Sequence, residues 1–223
     1  SLYEYGLILA SGGRRVQRVM AVLCGTALAA CVALEGPAGL VLTATVAALS
    51  LREMFGKVRS LERLSLTLFG AFFFGWMPGH LALIRDLRPH GEKLTFFFFA
   101  TVWVMDTAAF TVGKTLGRHS LADGLSPKKT WEGTAAGFLA ALGMAILLRR
   151  LLLPEILTYP RALGLGALIG VFGQFSDLAE SMIKRAAGVK DSGTILPGHG
   201  GVMDRFDSFI LGAPAVYYFL VFL

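Results

Sequence analysis

The chain has 223 residues, of which 55% are hydrophobic and 16% charged, with a formal net charge of +6. Soluble domains carry roughly 25% charged residues, and a water-soluble globule of this size could not bury so much apolar side chain without leaving large exposed patches. Composition therefore excludes an ordinary soluble fold, and the hydrophobic residues fall in long blocks that approach the ~20 residues a helix needs to cross the hydrocarbon core.

In chain order, Ser1–Gly12 is apolar but too short to cross. The sequence begins with Ser rather than Met, so part of the native N-terminus is expected to be absent, and no cleavable signal is recognisable. About seven spans come next, at Val16–Leu34, Ala38–Leu51, Leu64–Leu83, Leu94–Gly113, Thr134–Leu153, Ala162–Ile183 and Ser208–Leu223. The second is short. No repeat, low-complexity run or soluble linker interrupts them, so the pattern predicts an all-α, polytopic transmembrane protein forming one membrane domain. Cys24 and Cys31 lie two helical turns apart in the first span, without His, Asp or Glu nearby, and read as packing residues.

The connecting loops predict orientation. Arg14, Arg15 and Arg18, then Arg52, Lys57, Arg59 and Arg63, then Lys114, Arg118, Lys128 and Lys129, then Lys184, Arg185, Lys190 and Arg205 place fifteen bases on one side. Arg85, Arg88, Lys93, Arg149, Arg150 and Arg161 place six on the other. The richer side is expected to be cytoplasmic. Beyond this the basic balance calls for lipid headgroups and no nucleic acid.

The chemistry-bearing segment is QFSDLAESMIKRAAGVKDSGTILPGHGGVMDRFD, Gln174 to Asp207, with five acids, four bases and a histidine between two apolar spans. Asp177, Glu180, Ser181 and Lys184 fall at i, i+3, i+4 and i+7, one stripe of a helix, with Arg185 beside it. Ionisable groups at the membrane surface are costly and usually face a cavity or a partner. Gly193, Pro197, Gly198, Gly200 and Gly201 then break regular structure, and glycines let backbone N–H groups approach an anion closely. Asp204 and Asp207 open the last helix. Acids there can simply complement the helix dipole, a reading that suits Asp207 better than Asp204, which comes with His199 and Arg205. Hard oxygen ligands beside clustered Lys and Arg describe a Mg²⁺–polyphosphate site; the plain alternative is a basic loop with charge-balancing acids.

Ser181 to Asp207 resembles the signature of the phosphatidate cytidylyltransferases, S-x-hydrophobic-K-R, four residues, K-D, then a loop into H-G-G and D-R-hydrophobic-D. Every defined position is met over these 27 residues. Upstream, Asp106-Thr107-Ala108-Ala109-Phe110 with Gly113-Lys114 and Gly117-Arg118 is similar to the family's membrane-embedded D-x-x-A-Y-x-x-G-[KR]-x-x-G-[KR] element, with Phe110 where the pattern has tyrosine. Ser126-Pro127-Lys128-Lys129-Thr130-Trp131-Glu132-Gly133 looks like its S-P-K-K-[ST]-x-E-G loop. The resemblance runs from about Leu94 to the C-terminus, dividing the chain into N-terminal transmembrane helices, 1–93, and a catalytic transmembrane region, 94–223.

The resemblance implies a CDP-diacylglycerol synthase of the inner membrane, joining CTP to phosphatidic acid with release of pyrophosphate. A phosphate monoester already ionised near neutral pH needs little general base, so positioning and charge stabilisation carry the reaction. On this reading Asp177 and Asp204 hold Mg²⁺, with Asp207 a third ligand or partner of Arg205, and there is room for a second cation. Lys184, Arg185, Lys190 and Arg205 grip phosphates, and His199 orients a phosphate or donates to pyrophosphate. Ser181, Asp191, Gly200 and Gly201 complete the substrate side. Lys128 and Lys129 face substrate phosphate or anionic headgroups. Asp106 either supports the site or sits in a glycine-packed helix contact, and Glu132 caps or pairs locally. The expected site is a polar funnel at the cytoplasmic boundary, lined by Asp177, Lys184, Arg185, Lys190, His199 and Asp204 and open sideways to lipid. A homodimer is compatible with this reading. The alternatives are another CTP-using lipid enzyme, such as a polyprenol kinase or archaeal-type CDP-lipid synthase, and a transporter; the latter predicts an internal repeat, which the sequence lacks.

Overall fold

A computed structural model describes residues 1–190, 192 and 201–222. Helices dominate: α1 (Leu2–Ser11), α2 (Arg18–Ala33), α3 (Ala38–Met54), α4 (Leu61–Ala71), a π-helical turn (Phe72–Trp76), α5 (Met77–Asp86), α6 (Gly91–Leu116), α7 (Trp131–Leu152), α8 (Tyr159–Ala186) and α9 (Met203–Phe222). The segment Leu61–Asp86 is continuous. Its π turn precedes Pro78, whose ring cannot donate the next backbone hydrogen bond, and a widened turn is a common way to absorb that defect.

Helix starts obey side-chain chemistry. Ser60 accepts from Arg63 N at 3.1 Å, Thr130 from Gly133 N at 3.2 Å and Thr158 from Arg161 N at 3.4 Å, each satisfying an N–H that the helix itself leaves unpaired. Leu61–Asp86, α6, α7, α8 and α9 are long and apolar enough to cross a membrane. The remaining two expected spans are shorter, 16 residues in α2 and 17 in α3. The fold is thus an all-α multi-pass membrane protein with five such helices among the described residues.

Sheet is confined, among the described residues, to a hairpin of β1 (Ser120–Ala122) and β2 (Ser126–Thr130), antiparallel, with Ser120 opposite Thr130 and Ala122 opposite Ser126. Asp123-Gly124 supplies the turn, a pair that favours tight reversal.

Two packed regions hold the polar segments in place. One joins α6–α9 through Phe97, Phe98, Met105, Ala141, Leu165, Ile169 and Phe209. The other seats α1, through Tyr5, Ile8 and Leu9, on Ile183 and Ala187 at the end of α8 and Met203 and Ile210 of α9. Helices α6 and α7 meet through glycine: a Cβ on Gly133 would lie 2.6 Å from the Ala109 carbonyl oxygen. Cys24 and Cys31 are free and buried.

Candidate active site

Helix α8 presents its polar stripe toward α9 and the hairpin. Asp177 Oδ2 lies 2.6 Å from Lys129 Nζ on β2. One turn on, Glu180 is fully buried, with Oε1 3.0 Å from Lys184 Nζ. Neither carboxylate oxygen of Glu180 has an aligned hydrogen-bond donor among the described residues. Lys184 Nζ also donates to Asp204 Oδ1 at 2.7 Å.

Asp204 accepts four hydrogen bonds in all among the described residues. Its Oδ2 accepts from Ser192 N at 3.0 Å, Ser192 Oγ at 2.6 Å and Gly201 N at 3.0 Å. Both its oxygens are therefore committed, one to the lysine of α8 and one to the chain on either side of residues 193–200. Gly201 is required by crowding: a Cβ there would lie 2.0 Å from Ser192 Oγ and 2.7 Å from Glu4 Oε1.

Glu4 is a site residue that the sequence motifs do not contain. From α1 it reaches the start of α9, accepting from Val202 N at 2.8 Å and Met203 N at 2.9 Å. These are the N–H groups a helix leaves without internal partners, and a carboxylate suits the positive end of the helix dipole. The available signal was an acid alone in a short apolar helix, which by itself names no partner.

Asp106 joins the same region. Ser208 Oγ donates to Asp106 Oδ1 at 3.2 Å, and Ser208 N donates to Asp207 Oδ1 at 2.7 Å. Asp106, Asp177 and Asp207, from three different helices, lie within electrostatic range of one another and of Lys129. Asp207 is also within range of Glu180, so the two acid clusters adjoin. Ser176 binds α8 to α9, donating to the Asp207 carbonyl and accepting from Leu211 N at 3.1 Å.

The other expected residues are arranged around these clusters. Ser181 is buried in α8. Arg185 turns to the hairpin, donating from Nε to Leu125 O at 3.1 Å. Lys128, Lys190 and Arg205 are exposed on β2, beyond α8 and on α9. Glu132 accepts from Arg118 N and His119 N at 3.2 and 3.3 Å and lies 2.5 Å from His119 Nδ1, a local pairing at the start of α7. Asp191, His199 and Gly200 lie outside the described residues.

The expected metal acids divide between clusters: Asp177 and Asp207 beside Asp106, and Asp204 beside Lys184. Among the described residues no group of three or more His, Cys, Asp or Glu forms a ready-made metal site. Among the described residues, the interactions of Asp106, Asp177, Asp207, Glu180 and Asp204 bring in two lysines, Lys129 and Lys184, a set of oxygen donors that could hold a divalent cation. Acids gathered away from bulk water call for further positive charge.

Comparison with known proteins decides the family. The cytidylyltransferase family model matches residues 3–223. The chain belongs to this family. Relatives within it include a phosphatidate cytidylyltransferase of Synechocystis sp., 37% identical over 193 residues, covering 75% of this chain and 65% of the relative. One of Bacillus subtilis is 41% identical over 150 residues, covering 67% and 55%. The chloroplastic phosphatidate cytidylyltransferase 4 of Arabidopsis thaliana is 38% identical over 237 aligned residues, covering 93% and 58%. The chain thus spans between 55 and 65% of the length of these family members.

Proposed function

We propose that this chain carries the catalytic part of a phosphatidate cytidylyltransferase, transferring the cytidylyl group of CTP to phosphatidic acid and releasing pyrophosphate. One observation carries the proposal: acids and lysines from the three motif-bearing segments converge around Asp177, Lys129, Lys184 and Asp204. The names of the relatives it matches support the same reaction.

A phosphate oxygen of phosphatidic acid attacks the α-phosphorus of CTP, and the bond from that phosphorus to the bridging oxygen of pyrophosphate breaks. Lys184, held between Glu180 and Asp204, is placed to meet phosphate charge, with Lys128, Arg185, Lys190, Arg205 and His199 as further phosphate partners. Lys129 is exchangeable, since it pairs with one carboxylate that a cation can take over. Asp177 and Asp207, with Asp106 beside them, would hold magnesium, and Asp204 would anchor Lys184 and the loop that comes after α8. Magnesium held there supplies charge neutralisation on the polyphosphate. Asp191, Ser181, Gly200 and Gly201 shape the substrate side.

The proposal extends to topology. Helices α2 and α3 join the five longer ones as crossings, making seven, with the site on the cytoplasmic side of the inner membrane and a polar funnel open to lipid. Residues 1–93 then support a catalytic region, 94–223. The excess of Lys and Arg in the loops on the site's side supports this orientation.

Purified protein given labelled CTP, phosphatidic acid and Mg²⁺ is expected to form CDP-diacylglycerol and pyrophosphate. Release of CDP with a phosphorylated lipid alcohol would instead assign a kinase, and the absence of any lipid-linked cytidylyl product would overturn the proposal.

A further inference from the structure

A second polar region lies apart from the acid clusters. The α1–α2 and α3–α4 connections, with one face of α1, line an open cavity of about 970 Å³. Its walls are fixed by one buried carboxylate. Glu53 accepts from Arg63 Nε and Nη2 at 2.9 and 2.6 Å, from Ser60 N at 2.6 Å and from Gln17 Nε2 at 2.6 Å. Gln17 N in turn donates to Thr67 Oγ1 at 3.0 Å, so both connections are pinned to the same network.

That network neutralises Arg63 and leaves the rest of the rim uncompensated. Arg15, Arg18, Arg52 and Lys57 line the cavity and are exposed. None of the four makes an ion pair among the described residues, and no described Asp or Glu lines the cavity. Like charges gathered around one space repel unless an anion sits among them. A general excess of bases would scatter over the face, whereas these four, from the entry into α2 and from the end of α3 and the loop after it, line one space.

The flanking surface is apolar. Val19, Phe55 and Val58 are 70%, 84% and 69% exposed. Bases beside exposed apolar side chains suit the zone where headgroups meet acyl chains, and basic pockets between membrane helices bind lipid headgroups. We infer that this cavity binds the phosphate group of an anionic ligand, separately from the acid clusters, and that its position favours a phospholipid headgroup.

The test uses phosphatidylcholine nanodiscs doped with phosphatidylglycerol, with retained lipid counted by native mass spectrometry. Wild type is expected to retain phosphatidylglycerol selectively, and Arg15→Gln/Arg52→Gln/Lys57→Gln to weaken that retention by about tenfold or more. The charge-preserving Arg15→Lys/Arg52→Lys/Lys57→Arg variant should hold lipid as wild type does. So should Asp177→Asn, which separates this site from the one proposed for catalysis. Because the substituted side chains are exposed, the fold should survive; the Arg52→Gln/Lys57→Gln pair repeats the measurement with a smaller change. In a second arm, inorganic phosphate is titrated by calorimetry against protein in neutral detergent. Saturable phosphate binding that the same substitutions abolish, without selective lipid retention, assigns the cavity to a soluble phosphate. If neither ligand distinguishes wild type from the glutamine variants, the inference is overturned.

Discussion

At the acid cluster one lysine answers three carboxylates, and Asp177 is the one it touches, at 2.6 Å. Replacing Asp177 by Asn keeps the size of the side chain and removes the charge. If it holds the cation, turnover falls by well over tenfold, the equivalent of roughly 1.4 kcal/mol in the barrier, while the protein still elutes as a folded species in detergent. A rate within tenfold of wild type would remove Asp177 from the metal site. Glu4 is a different kind of residue, positioning a helix start rather than meeting substrate. Glu4→Gln removes a charge-assisted cap and is expected to cost about 1–2 kcal/mol, read as a lower Tm. The same variant should lower kcat more than it changes KM for CTP, and Glu4→Asp should recover only part of the loss. Asp177 and Lys184 were legible together because their spacing puts them on one helical stripe, and Asp204 because it stands in the charged segment that comes next. Glu4 was not, since its partners lie 198 and 199 residues away and are backbone groups that any sequence would supply.

At the scale of elements, the glycine seam between α6 and α7 carries a sharp contrast. Gly133→Ala would press a methyl against the Ala109 carbonyl, whereas a Cβ on Gly143, in the same helix, meets nothing within 4 Å. Overpacking of this kind costs about 1–3 kcal/mol. Thermal unfolding in detergent is expected to show a clear drop for Gly133→Ala and little change for Gly143→Ala. Equal effects would mean that the seam is not a tight contact. Long helices were easy to recognise, because apolar blocks far longer than a strand admit few other structures. The hairpin was missed because Ser126–Thr130 contains a proline and two lysines, which read as loop. Its strand character comes from pairing with Ser120–Ala122 and from the anchor at Thr130, both tertiary or turn effects rather than propensity.

Across the whole molecule, alternating helix directions put the hairpin and the α8–α9 connection on one side and the α7–α8 connection on the other. With Cys24 and Cys31 buried at 9% and 8% exposure, the protein offers a quiet background for thiol labelling. Asp123→Cys should react with a membrane-impermeant maleimide only after spheroplasts are opened, and Glu155→Cys should react in intact spheroplasts. The reverse pattern would place the candidate site outside the cytoplasm. Sidedness could be argued from the loops because charge bias acts through composition alone. Which acids share a cluster required the crossing of α6, α8 and α9, and no periodicity encodes that.

The contact between Glu4 and the start of α9 also constrains how the protein is made. The ribosome delivers α1 well before α9, so the carboxylate of Glu4 waits for amides made 198 and 199 residues later. Until α9 is inserted, Tyr5, Ile8 and Leu9 lack part of their seat, and α1 remains open to protease and chaperone. A nascent chain released before α9 therefore carries Asp106, Asp177 and Glu180 without Asp204, Asp207 or the closure that orders them. Insertion of α9 thus fastens together two segments made far apart in time, and a chain that stalls short of this step is marked by a loose α1.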